Sequence, residues 1–541
     1  MNFNMRLKIR NMGSCIAFMS GLALLSISPR SGEAATLPEL PRVFMDTTYS
    51  PPAGNIITVN AGGNFQAALN SAALGDTIVL QAGATFVGPF TLPNKTSGSG
   101  WIYIRSSAYA NLPPPGSRVS PFYAANMPKL VIGSAGGNVI NTVSQSHHFR
   151  FVGIEIKPVA GNFVVNLVTI GNNDTSLATL PNFIVFDRCY VHGDTSQPAG
   201  RRGFNLSGTS IAVIDSHISG FTQPGGDSQA IFGYQGNGPF KIVNNYLEAA
   251  SENVLFGGAD PIIPNSVPSD IEIRRNHFFK PLSWIGAGLV VKNLLEFKNA
   301  QRVLVEGNIF QNNFADAQSG FSLLVTPRNQ DGGAPWSVTQ DITIRLNKFI
   351  NIDQGINIAG RDDIRVSQIT RRVLIENNVM EVTGVPSGQG RIFQTLVGPV
   401  DITIRHNTAF TASGGNSALA VSDNTPKADQ FDFRDNLVSS GVYGFTGTGT
   451  GAGTSTLDTW FTNYTFTKNA IISGTGTYPS GNFFPANTAA VGFVNFASGN
   501  YALTAGSAFR NAATDGKDLG ADIAAVIAAG AGGIVAPLQT P

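Results

Sequence analysis

Runs of alternating apolar and polar residues recur along most of the chain, and each closes on an asparagine. GPFKIVNN, SDIEIRRN, QRVLVEGN, QDITIRLN, RRVLIENN, VDITIRHN, DQFDFRDN and FTNYTFTKN end at Asn245, Asn276, Asn308, Asn347, Asn378, Asn407, Asn436 and Asn469. Successive asparagines are 29–39 residues apart. NFIVFDRC and TSIAVIDS, ending at Cys189 and Ser216, extend the series toward the N-terminus. Alternation with period two predicts strands with one buried face. Recurrence at a fixed longer period predicts a solenoid, in which each repeat makes one circuit and pairs with its neighbours at a spacing of about 4.8 Å. The expected fold is all-β, a single-stranded parallel β-helix with aliphatic residues stacked inside and the asparagines bonded along the axis. Their role is therefore read as structural.

A second run precedes each asparagine run: DSQAIFGY, SENVLFGG, NLLEFKNA, GFSLLVTP, GINIAGRD and RIFQTLVG. Alternation points Val254, Phe256, Leu295, Phe297, Phe321, Leu323 and Val325 inward. It points Glu296, Lys298, Ser322, Thr326 and Asn357 outward. At the start of the repeats, Phe65–Ala73 is a short amphipathic segment, expected to be a helix that caps the first rung and covers its unpaired edge. Ser498–Asp522 is expected to close the opposite end.

Composition narrows the setting. Arg6, Lys8 and Arg10, the apolar run Ile16–Ile27 and the small residues Gly32–Ala35 have the order of a secretory signal. Its apolar core is too short and interrupted for a membrane span. The expected organisation is a signal over 1–35, one β-helix domain over 36–522 and a C-terminal tail over 523–541. Cleavage near Ala35 removes four cations and one anion, taking the formal charge from +1 to about −2. So balanced a chain lacks the footprint of a nucleic-acid binder. With Cys15 removed, Cys189 has no partner for an internal disulfide. The mature protein is expected to be secreted, extracellular or periplasmic, and monomeric.

The segment GDTIVLQAG, the asparagine runs and DGKDLGAD resemble right-handed parallel β-helix proteins of the pectate-lyase-like superfamily, over roughly Ile57–Asp522. The segment FKNAQRVLVEGNIFQNN is also similar to the chondroitinase-B/alginate-lyase family. That family has a Lys-Ser-x-x-Asn run, an Asn-x-Phe strand and an arginine one rung on. Lys298 matches the lysine, Asn308-Ile309-Phe310 the strand and Arg328 the arginine; Asn299 replaces the serine, and the acids that hold calcium in that family are incomplete here. The resemblance implies β-elimination on an acidic, uronate-containing polysaccharide. Lys298 would be the base, provided that Arg328 and Arg361 favour its neutral form; the two arginines would be the carboxylate or leaving-group partners, and Glu252, Asp260 and Glu296 the acid or metal shell, with Glu296 counted among the catalytic residues. Glu252, Asp260 and Glu296 would be the ligands of a Ca2+ ion, which prefers oxygen donors. Trp284 and Trp336, on the long connections 257–292 and 326–339, are expected with Asn357 and Asp362 to contact substrate.

Competing readings remain open at this point. Glu296–Lys298 is equally an i,i+2 ion pair on a sheet face, worth at most about 1 kcal/mol. A non-catalytic carbohydrate-binding or cell-surface β-helix uses the same fold, as do hydrolases and epimerases. Asp362–Asp363 are similar to the paired acids of polygalacturonase-type hydrolases, but that family's other motifs are absent. His147–His148 and the Asp187, His192, Asp194, Arg201, Arg202 group are expected at rung edges and turns.

Overall fold

The computed structural model describes residues 35–171, 173–194 and 200–531. The signal expected over 1–35 lies outside these residues, apart from Ala35, and so does the tail beyond Ala531. Three long parallel sheets of fourteen, twelve and thirteen strands run the length of the molecule. Each rung contributes one strand to each sheet in turn, so the chain is a right-handed parallel β-helix. The runs ending on asparagine form the first, fourteen-stranded sheet. NLLEFK and its relatives form the second, of twelve strands. Short strands just after each asparagine form the third.

The register explains the core. Val254, Leu295, Leu323 and Ile356 are paired in succession across four rungs, and each is wholly buried. Phe278, Phe310 and Phe349 stack likewise, with ring centroids 4.6 and 4.5 Å apart. At one corner the asparagines form a continuous ladder. The Asn276 backbone N–H donates to Asn308 Oδ1 at 2.9 Å, and Asn308 repeats this with Asn347 at 2.9 Å. Each side-chain amide also donates to a backbone carbonyl, as Asn308 does to Ile273. Buried corner groups that no strand can pair are thereby satisfied. The ladder begins at Cys189 and Ser216 and runs beyond Asn469 to Asn482, whose Oδ1 accepts from the Asn469 N–H at 2.9 Å.

Helix α1 (Phe65–Ser71) caps the first rung, as expected, and buries Phe65, Ala68 and Leu69. The other end departs from expectation. It is closed by 478–483, where Phe483 bridges to Ala470 and Tyr478 stacks on Phe466, and by helix α2 (Thr454–Trp460), whose Leu457 is buried. Ser498–Asp522 lies on the side of the solenoid instead. The Ala521 N–H donates to Thr408 Oγ1 and that of Asp522 to Asn377 Oδ1. Helix α3 (Ile523–Gly530) continues in the same direction, packing Val526 with Val379 and Tyr501. The third sheet exposes Val379 and Phe410 on its outer face, and this segment supplies the apolar residues that cover them.

An extended strap, residues 36–50, crosses the first sheet from one half of the rod to the other. The N–H groups of Thr36, Glu39 and Arg42 donate to Asp401, Asp341 and Asp270, at 2.9, 3.1 and 2.9 Å. Met45 then packs on Val185, Ala212 and Val243, and Thr48 O accepts from Arg150.

Candidate functional site

Outward residues of the second sheet assemble a charged cluster on adjoining rungs. Gln229 and Glu252 are register partners, and Gln229 Nε2 donates to Glu252 Oε2 at 2.7 Å. One rung earlier, Arg202 Nε donates to Gln229 Oε1 at 2.6 Å while its guanidinium lies 4.2 Å over the Phe232 ring. Lys292 leads into the next rung and stands 2.7 Å from Asp227 and 3.7 Å from Glu252. On that rung Glu296 pairs with Lys298 at 3.5 Å and accepts from Asn293 Nδ2 at 3.1 Å. The Glu252 and Glu296 side chains are 0% and 2% exposed, whereas those of Lys292 and Lys298 are 15% and 17% exposed. The lysines are thus the members of the cluster that reach the surface.

Burial and proximity make these charges interdependent. Burial, with the Glu296 carboxylate beside it, pushes Glu252 up to about 7, even though Lys292 and Lys298 pull the other way. Burial opposes the charge of Lys292, yet Glu252 and Asp227 hold its pKa above the usual lysine value. Burial and the neighbouring Arg201 lower Arg202 to about 10. Glu252 Oε1 and, farther along the same sheet, Gln354 Oε1 and Asn357 Oδ1 are buried acceptors with no hydrogen-bond donor.

Several residues expected at the site lie elsewhere or have other partners. The Arg328 N–H donates to Lys298 O, so the two residues sit on adjoining rungs, but the guanidinium turns to Asp362 and Asp363 at 2.7 and 2.5 Å. Asp362 in turn accepts from the N–H groups of Asn329 and Ile364, which makes it a turn anchor. Arg361 donates to Val397 O one rung on. Asp260 accepts from the N–H groups of Asp331 and Gly333 and so clasps the two long connections together. Trp336 is half-buried and donates to Ser266 O, and Trp284 packs with Ala250, Val291 and Phe314. Asn357 does face outward, bonded to Gln394 at 2.5 Å.

The expected calcium set is not assembled. Among the described residues, no group of three or more His, Cys, Asp or Glu side chains is placed to hold a metal ion. Asp260 is committed to the loop clasp, and the two carboxylates that do meet, Glu252 and Glu296, are interleaved with Lys292 and Lys298. The Lys292 ammonium already supplies positive charge beside Glu252, and Lys298 is paired with Glu296, so the donor set does not fit a divalent ion.

Lys292, Gln229, Arg202 and Asp227 are members that alternation alone did not single out. Aligning SQAIFG with SENVLFG puts Gln229 one rung before Glu252, and that signal was present in the repeat. Lys292 precedes its strand, where no periodicity applies. Arg202, expected at a rung edge or turn, is drawn into the charged cluster instead, whereas Asp187 and His147 are structural. Asp187 is buried between Arg150 and Arg188, and His147 bonds to Lys95 O.

No family profile matches the chain, and no curated protein matches it. Solved structures do. A pectate lyase, Pel9A, is 13% identical with a TM-score of 0.31, and the match covers 86% of this chain and 96% of that one. A catalytic unit of an α-1,3-glucanase from Streptomyces thermodiastaticus strain HF3-3 is 11% identical with a TM-score of 0.43, covering 82% and 70%. The PL6 family alginate lyase AlyGC is 12% identical with a TM-score of 0.49, and the match covers 86% of this chain but 58% of that one. At these identities and TM-scores none of these likenesses bears on the reaction.

Proposed function

We propose that the protein is a secreted carbohydrate-active enzyme, a polysaccharide lyase that cleaves an acidic, uronate-containing polymer by β-elimination. The observation carrying this reading is the Glu252–Lys292–Glu296–Lys298 cluster, in which two lysines emerge at the surface beside Arg202 of the same sheet, with Arg328 on the connection that follows the next strand. Cations at that position neutralise a uronate C6 carboxylate and so acidify the C5 proton, because the charge developing there is enolate-like. Lys298 takes the C5 proton; the C4–O bond breaks, a C4–C5 double bond forms, and the departing oxygen is protonated. Lys292 and Arg202 are the carboxylate partners, with Arg328 at the rim. Glu252 is buried behind Lys292, so the departing oxygen takes its proton from solvent.

The test is to incubate the protein with alginate, pectate and glycosaminoglycans, with calcium and with chelator, and to follow the ultraviolet absorbance of the unsaturated uronate. Product on at least one polyanion, unaffected by chelator and lost in Lys298→Ala, is expected. Absence of unsaturated product on every polyanion overturns the reading. A second reading, a glycoside hydrolase, is favoured by one feature: Glu252 and Glu296 are neighbouring carboxylates, and burial with Glu296 beside it raises the pKa of the first. It predicts new reducing ends without the unsaturated chromophore.

A further inference from the structure

Lys280 is wholly buried at the corner where the third sheet hands over to the second. Its Nζ lies 2.8 Å from Ala249 O, 2.8 Å from Ala250 O, 2.7 Å from Ser251 O and 3.1 Å from Asn253 Oδ1. Three consecutive carbonyls therefore turn inward on one point. Asn253 Nδ2 donates to Leu247 O and Phe279 O, which obliges its Oδ1 to face the same point. Four acceptors converge and no carboxylate is among them. In a corner closed to water, only an occupant that is cationic, or rich in donors, compensates so many inward dipoles. An ammonium has three N–H donors and no acceptor, and a dehydrated alkali cation is held by carbonyl oxygens in the same manner.

We propose that this corner is a monovalent-cation site, of ammonium or potassium type, which the chain fills permanently with its own Lys280. The tethered charge holds the bend 249–253 in shape, and that bend is the backbone from which Glu252 departs into the second sheet. The proposal does not depend on any reaction at the candidate site.

Lys280→Ala empties the cage while leaving its oxygens in place. The expected result is a fall in Tm that ammonium or potassium chloride reverses along a saturating curve, whereas tetramethylammonium chloride at equal ionic strength does not. Lys280→Met, which restores the bulk without the charge, is expected to remain destabilised and to gain nothing from either salt. A Tm for Lys280→Met equal to that of the unsubstituted protein overturns the proposal. So does a Lys280→Ala deficit that responds equally to all three salts or to none. Should Lys280→Ala not fold, the unsubstituted protein labelled with 15N-lysine is read by NMR. Burial lowers Lys280 to about 7, so a Lys280 ammonium resonance in slow exchange with water is expected below that pH, and its absence there, checked against Lys280→Met, overturns the assignment.

Discussion

Glu252 is a carboxylate that its surroundings make costly to ionise, and this gives stability a direction with pH. Its folded pKa of about 7 lies above the value of about 4.3 for a free glutamate. The folded state therefore prefers the protonated form. The corresponding stability is fully present below about pH 4 and is lost as pH rises through about 7. Unfolding midpoints of the native protein and of Glu252→Gln are expected to diverge across that interval, the variant showing the shallower decline. Equal slopes would mean that Glu252 is not buried as described. At this scale the residues readable in the sequence were those on a strand: Glu296, Lys298 and Asn357 face outward because their neighbours Leu295, Phe297 and Ile356 face inward. Lys292, Arg328 and Asp260 lie on connections, where direction is set by partners rungs away, and alternation says nothing about them.

Strands and corners behave as stacked columns, so one substitution interrupts a series of bonds. Asn308 accepts from Asn276 N–H and donates to Ile273 O and Asn347 Oδ1, all buried. Asn308→Ala leaves Asn276 N–H and Ile273 O without that partner, while Asn347 Oδ1 keeps the backbone N–H of residue 308, at a cost of about 1–3 kcal/mol for each group left unpaired before relaxation. Denaturant unfolding is expected to show a loss of at least 2 kcal/mol, roughly twice one such penalty offset by local adjustment. On the third sheet, His217 stacks on Tyr246 with centroids 4.3 Å apart, and His277 meets the same tyrosine edge-on. Burial, with Arg118 nearby, drives His217 down to about 3; burial and Arg118, against the Gln311 hydrogen bond, bring His277 to about 4. Both imidazoles are favoured neutral in the fold. Their contribution is complete above about pH 6.5 and is lost as pH falls toward those values. His217→Phe, which keeps the ring, is expected to unfold at a lower pH than the native protein in an acid titration followed by circular dichroism. The asparagine ladder was legible because each rung repeats it. The His–Tyr column was not, because its members alternate in chemistry from rung to rung.

Over the whole molecule, the repeat carried the architecture and α1 carried one end. The C-terminal segment was misplaced because its apolar residues, Phe493, Tyr501 and Val526, are scattered among turns and have no period. The strap was invisible for a related reason: Thr36 bonds a residue 365 positions away. Deletion of residues 36–46 is expected to lower Tm without changing the strand content seen by circular dichroism, since the strap caps side chains and pairs with no strand.

The strap also has arithmetic. Asp270, Arg302, Asp341, Arg372 and Asp401 occupy one corner column on five successive rungs, all with left-handed φ, and acid alternates with base. Three residues of extended chain advance about 9.3 Å at the rise of polyproline II. Two rungs advance about 9.6 Å. The strap thus works as a vernier against the rod, each third amide meeting every second rung, and the column has parity. Removing the single rung between Asp270 and Asp341 would bring an arginine opposite an amide that needs an acceptor, while removing two would restore the match. Solenoids lengthen and shorten by whole repeats; this one is predicted to tolerate even changes along the strapped stretch and to resist odd ones, which paired one-rung and two-rung deletions would reveal as a difference in Tm.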